Sequence, residues 1–189
     1  ICASMLHRAV NAALLGDLLM LVYHQTLPYQ KEPGAAETLL ARWRQQLGRR
    51  LQGGILLHGE RKALFAQIAR SFSEIPRCQR QVQRIGIVGE LYVKYCGMGN
   101  CGLVPYLHAR NCEVYVNGLS WHALYYLDTH MVQDAAWGRA CKPLLWYLNR
   151  VQTELVDAVR QAGFQCLDPY DRFCRTRQEL IPYGVHTAD

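Results

Sequence analysis

Residues 84–117 read RIGIVGELYVKYCGMGNCGLVPYLHARNCEVYVN, and the reading of this stretch decides the fold. Ile85, Ile87 and Val88 form a short apolar run bounded by Gly86 and Gly89, the look of a strand buried on both faces of a parallel sheet. From 101 to 110 the apolar positions Leu103, Val104 and Leu107 fall at helical spacing, and Asn111 sits where a helix stops. Residues 112–117, CEVYVN, alternate as a second strand. Strand, glycine-rich turn, helix and strand compose one βαβ unit. Ligands of open α/β sheets bind at the carboxyl ends of such strands, so the expected site lies near residues 89–100 and near Asn117.

Three helices are expected before this unit. Residues 2–27 carry a wide apolar stripe of Leu6, Val10, Ala13, Leu14, Asp17, Leu18, Leu21 and Val22. Pro28, Pro33 and Gly34 break it. A second helix over 35–52 sets Leu39, Leu40, Trp43 and Leu47 on one side, and a third over 60–72 aligns Leu64, Phe65, Ile68 and Phe72 before Ile75-Pro76 closes it. Residues 77–83 read as a polar linker. After Asn117, residues 121–131 read as a short helix with an aromatic face of Trp121, Tyr125 and Tyr126. A long helical stretch follows over 134–163, with Pro143 opening a new turn, and its buried face is traced by Leu144, Leu145, Leu148, Val151, Leu155, Val156 and Val159. The tail over 169–183 suggests one more short helix. The expected organisation is a helical segment over 1–76 and a Rossmann-like α/β segment over 84–189. Two strands rarely make a sheet alone, so further strands are expected in segments read as coil or in a longer parent chain.

Composition narrows the class. With 189 residues, half of them hydrophobic, the chain can bury a sizeable core. The net charge of +6 comes from arginines spread through helices; the cluster in RWRQQLGRR, residues 42–50, reads as a solvated helix face, and nucleic acid is not the expected partner. Apolar residues 10–23 are interrupted by Asn11 and Asp17, so a membrane span is not expected. Eight cysteines contain no CxxC pair, which speaks against a zinc ribbon, and without a secretory signal a reduced, cytoplasmic setting is expected. The sequence from Ile1 to Asp189 reads as a piece of a longer protein.

A family resemblance rests on three motifs in order. They are a Pro-Tyr-x-x-x-Pro-Gly loop (Pro28, Tyr29, Pro33, Gly34), a Phe-x-x-Ile-Pro stop (Phe72, Ile75, Pro76) and Gly-Ile-Val-Gly-Glu-x-Tyr-Val from Gly86 to Val93. Over roughly the first two thirds of its length the chain resembles the 2-hydroxyglutaryl-CoA dehydratase component family, in particular the carboxyl-terminal region of large CoA-substrate-specific enzyme activase proteins. The resemblance implies a flavodoxin-like α/β domain in a protein of anaerobic metabolism. It also implies an iron–sulfur cluster held by cysteines in the intact protein, and an ATP-driven activase component delivering one electron to eliminate water from a 2-hydroxyacyl-CoA. Where the family reads Tyr-Val-x-x-Asn-Pro-Phe-x-Asn, this chain has YVKYCGMGN: Tyr92, Val93 and Asn100 match, while Cys96 and Gly97 replace Asn-Pro.

Three constellations remain open. Gly97, Gly99 and Gly102 spell GxGxxG between strand and helix, yet they come late after Gly89, and Asn117 stands where a ribose-binding acid is expected, so a glycine-permissive turn competes with NAD binding. Cys96 and Cys101 flank that turn with CxxxxC spacing and are candidate metal ligands, with packing as the alternative. Glu90, Tyr92, Asn100 and Asn117 are the candidate ligand-binding residues, Glu90 serving either as a backbone cap or as an acid or base. His108, His122 and His130 share no metal-binding spacing and read as surface or core-edge residues. Catalysis by this piece alone is not expected. A CoA ester, other domains of the parent or a partner subunit are the expected partners, and a scaffold module or a small nucleotide-binding domain are the alternatives.

Overall fold

The computed structural model describes residues 3–133 and 135–166. Helix α1 (Ala3–Thr26) runs into a 3-10 turn (Leu27–Tyr29), then α2 (Ala35–Gln52) and α3 (His58–Ser73). Strand β1 (Arg84–Ile87), helices α4 (Leu91–Tyr95) and α5 (Leu103–His108), strand β2 (Glu113–Val116), α6 (Leu119–Gln133) and α7 (Ala135–Gln161) follow. It is a mixed α/β fold, mostly helical, with one two-stranded parallel sheet among the described residues.

The expected βαβ unit is present, with Arg84 opposite Glu113 and Ile87 opposite Val116. Its first strand is not buried on both faces: only Ile87 is enclosed, and Val88 lies past the strand end at 86% exposure. Among the described residues β2 is the one strand paired with it, so its other edge carries no partner strand. Ile85, Ile87, Val114 and Val116 form a small core with Met20 of α1 and Leu103, Val104 and Leu107 of α5. The connecting helix is shorter than residues 101–110 suggest, and α4 precedes it. The linker is not all coil. Its start pairs antiparallel with the 3-10 turn, Lys31 N donating to Pro76 O at 2.9 Å and Cys78 N to Tyr29 O at 2.7 Å.

The larger core gathers Leu14, Leu15, Leu18 and Val22 of α1, Trp43 and Leu47 of α2, Phe65, Ile68 and Phe72 of α3, and Val151, Leu155 and Val159 of α7. Removing a buried phenylalanine from such a cluster costs about 3–5 kcal/mol. By length and composition, residues Ser4–Tyr29 make the one helix among the described residues apolar enough to cross a membrane. In the fold α1 instead packs on α2, α3, β2, α6 and α7. The expected aromatic face of α6 points outward, Tyr125 and Tyr126 being exposed, and Leu124 is the buried residue. Pro143 opens no new helix; it lies within α7. The tail helix expected over 169–183 lies outside the described residues, and so does His130 as regards its side chain.

One polar contact ties α1 to the βαβ unit. Nδ1 of His24 lies 3.0 Å from Nε2 of His108, with the ring of Tyr23 edge-on to His108. Burial, and secondarily the neighbouring His108, push the His24 pKa from 6.5 down to about 3. Burial lowers His108 too, against a smaller upward pull from Glu37. Both rings are neutral at neutral pH. The unfolded chain takes up protons at His24 below 6.5 that the folded chain refuses until about 3. The stabilisation is thus complete above the first value and is lost as pH falls toward the second. The melting temperature should drop across that window, and a His24→Leu, His108→Leu double variant should lose part of the slope; identical slopes for the two proteins would disprove the role of the pair.

Candidate functional site

The carboxyl ends of β1 and β2 are where this fold gathers its site candidates. After Ile87 the chain turns through Gly89, and Glu90 sits at the N-cap of α4, its carboxylate accepting from Tyr92 N at 2.9 Å and Val93 N at 3.4 Å. Such a cap satisfies amides that a helix start leaves unpaired. Of the two roles weighed for Glu90, its hydrogen bonds are those of the backbone cap.

Asn100 staples the glycine turn. Its Nδ2 donates to the carbonyls of Val93 at 2.9 Å and Lys94 at 3.1 Å, while Oδ1 accepts from Gly102 N at 3.1 Å and Leu103 N at 3.2 Å. Both donors and both lone pairs of the amide are used within the turn. The amides at the start of α5, which a pyrophosphate would need, are the ones that Oδ1 covers. Gly102, at φ +68°, adopts the left-handed backbone that lets the chain re-enter a helix there. Gly99 is pressed on Tyr92, since a Cβ at that position would lie 3.0 Å from Cε1 of the ring.

Cys96 lies in the same turn. The Tyr92 hydroxyl, followed by the amides of Gly99 and Met98, donates to its sulfur and lowers its pKa from the ordinary thiol value; the same contact raises the Tyr92 phenol. Cys101 is exposed at φ +53°, and Cys112 is buried at the start of β2. Among the described residues no three His, Cys, Asp or Glu side chains come together as a metal would require. The carbonyl of Asn117 accepts from the Tyr95 hydroxyl, which closes α4 onto the end of β2.

Beneath this edge lies a buried polar cluster that sequence reasoning missed. Asp17, from the middle of α1, accepts from Leu119 N at 2.8 Å, Ser120 N at 2.7 Å and the Ser120 hydroxyl, capping α6 from across the molecule. Gln152 of α7 donates to the Ser120 hydroxyl at 3.1 Å, and Lys94 is buried nearby, its charge acting on Asp17. Burial raises the Asp17 carboxyl above its usual range, partly offset by the Ser120 and Leu119 donors. Gly118 is required for the approach, because a Cβ there would fall inside van der Waals contact of the Asp17 carboxylate. A charged residue within the apolar stripe of α1 was the available signal.

The comparisons with known proteins add no relative: no family model, curated protein or solved structure matches this chain.

Loss of a buried cap such as Asp17→Ala should lower stability by about 1–3 kcal/mol. Gly118→Ala should cost at least as much, because the carboxylate is pushed off its donors. Since the two changes strike one contact, the double variant should be destabilised by clearly less than their sum. Chemical denaturation of the four proteins measures this, and strict additivity would show that Gly118 is not there for Asp17.

Proposed function

We propose that this chain is the flavodoxin-like α/β part of a 2-hydroxyacyl-CoA dehydratase-like or activase-related protein. In that protein it takes part in ATP-linked iron–sulfur electron transfer to a CoA ester, and the piece has no catalysis of its own. The observation that carries the reading is the ordered set of motifs ending in Gly86 to Val93, which leads directly into the turn at the carboxyl edge of a parallel strand pair. That edge is where sheets of this class hold ligands. The edge of β1 that carries no partner strand among the described residues supports a wider doubly wound sheet, completed by strands beyond the pair. The Cys96 thiol, eased toward thiolate by its donors, is the residue suited to a metal or electrophile. With Cys101 it offers two sulfurs; a cluster takes about four ligands, so the remainder would come from other parts of the parent. Other domains or a partner subunit are the natural neighbours, in a cytoplasmic, reducing setting.

One observation favours a second reading, a non-catalytic interaction module. Glu90, Asn100 and the Asn117 carbonyl are all engaged in internal hydrogen bonds, whereas Tyr92, Tyr125 and Tyr126 are exposed.

Anaerobic purification followed by visible absorption and thermal-shift measurements separates the two. We expect a CoA ester to raise the melting temperature more than NAD or AMP does, with no turnover of a 2-hydroxyacyl-CoA by the chain alone. Stabilisation by NAD as large as that by the CoA ester, or turnover by the isolated chain, would refute the proposal; indifference to the CoA ester would favour the interaction module.

A further inference from the structure

We infer that the cleft between the amino end of α3 and the middle of α7 binds an organic phosphate whose planar ring lies on Trp146. The cleft has a volume of about 470 Å³, inside the roughly 300–1,000 Å³ of small-molecule pockets. Leu57, His58 and Arg61 wall one side, and Trp146, Tyr147 and Arg150 the other. None of these residues belongs to the strand edge, so the inference stands independently of the function proposed there.

The charge pattern calls for an anion. Arg61 Nη2 lies 3.1 Å from Glu154 Oε2, while His58 Nδ1 and Arg150 Nε lie 3.4 and 3.7 Å from Oε1. Two guanidiniums therefore share one carboxylate, leaving one positive charge unmatched among the described residues. Arg61 is 3% exposed; its Nη1 donates to the Tyr147 hydroxyl at 3.1 Å, and its Nε finds no hydrogen-bond partner among the described residues. A guanidinium so deeply enclosed and incompletely bonded is costly unless more negative charge reaches it. The acid in the first turn of α3, Glu60, is already paired with Arg50, so it does not offset the positive charge of Arg61 and Arg150 in the cleft.

The ring is argued from the apolar half. Trp146 is 63% exposed and Leu57 71% exposed, on opposite walls, with the Arg150 guanidinium 5.6 Å from the indole centre. An open indole next to an arginine is a stacking platform for a flat heterocycle, and the arginine can then reach the attached phosphate. A bare phosphate would leave this platform unused.

Isothermal calorimetry on the whole chain with AMP, adenosine and inorganic phosphate tests the inference. AMP should bind saturably, with adenosine and inorganic phosphate each about tenfold weaker or worse, the loss expected from one charge-assisted contact or one stacked ring. Arg150→Gln and Trp146→Ala change exposed side chains, so the ligand-free melting temperature should hold while AMP binding weakens by about tenfold. Inorganic phosphate binding as tightly as AMP would overturn the inference. So would AMP affinity that survives both substitutions, or no AMP binding at all.

Discussion

The carboxylate of Asp17 is the contact on which the arrangement of this protein depends. A buried carboxylate is expensive without donors, and the first amides of a helix are expensive without acceptors. One contact offsets part of both costs, because Asp17 meets the amides of Leu119 and Ser120 and the Ser120 hydroxyl where α6 begins. The positive end of the α6 dipole adds to the attraction. That contact fixes the direction in which the chain leaves β2. Through the packing of α6 on α7, and the bond from Gln152 to Ser120, it also fixes the helical layer relative to the sheet.

The same logic governs the rest of α1. The helix is apolar enough for a bilayer, yet its enclosed polar residues are mostly spent on particular partners. Gln25 donates to the carbonyl of Gln165 at 2.6 Å and accepts from its amide at 2.8 Å, holding the chain that leaves α7. His24 meets His108, and the Thr26 hydroxyl turns back to Val22 O at 2.7 Å. Each would be a liability facing lipid tails. Here they set where neighbouring segments attach, while leucines supply the bulk of the burial. At the other end of the strands Glu113 does comparable work, accepting from the Tyr29 hydroxyl at 2.6 Å and from Arg84 Nε at 3.3 Å.

Helices α1, α2, α3 and α7 were legible because their apolar residues recur at helical spacing, and β2 because CEVYVN alternates. Strand β1 was legible as a strand but not in its burial, since an apolar run does not say how much of a strand its neighbours cover. Helix α4 was not legible: LYVKY is short and rich in residues that favour strands, and it becomes helical where Glu90 supplies the missing acceptors. The aromatic face of α6 was legible but not the direction in which it turns: Tyr125 and Tyr126 are exposed, while Leu124 and Ser120 are buried. The partners of Asp17 lie about a hundred residues further along, at a separation no local pattern reveals. The turn over 97–102 was visible through its glycines; what escaped was that Asn100 would use its whole amide to hold it.

Those commitments limit what the strand edge can do by itself. Asn100 is fully occupied with backbone groups, one carboxylate oxygen of Glu90 is held by the amides of Tyr92 and Val93, and Asn117 gives its carbonyl to Tyr95. The Cys96 thiol at that edge has its pKa lowered by the Tyr92 hydroxyl and the amides of Gly99 and Met98. One such sulfur beside an exposed phenol can meet a metal or an electrophile, but it does not enclose one. Any chemistry at this edge therefore needs a second surface to supply the remaining contacts. The edge of β1 away from β2 and the outward tyrosines lie on the elements from which such a surface would be approached.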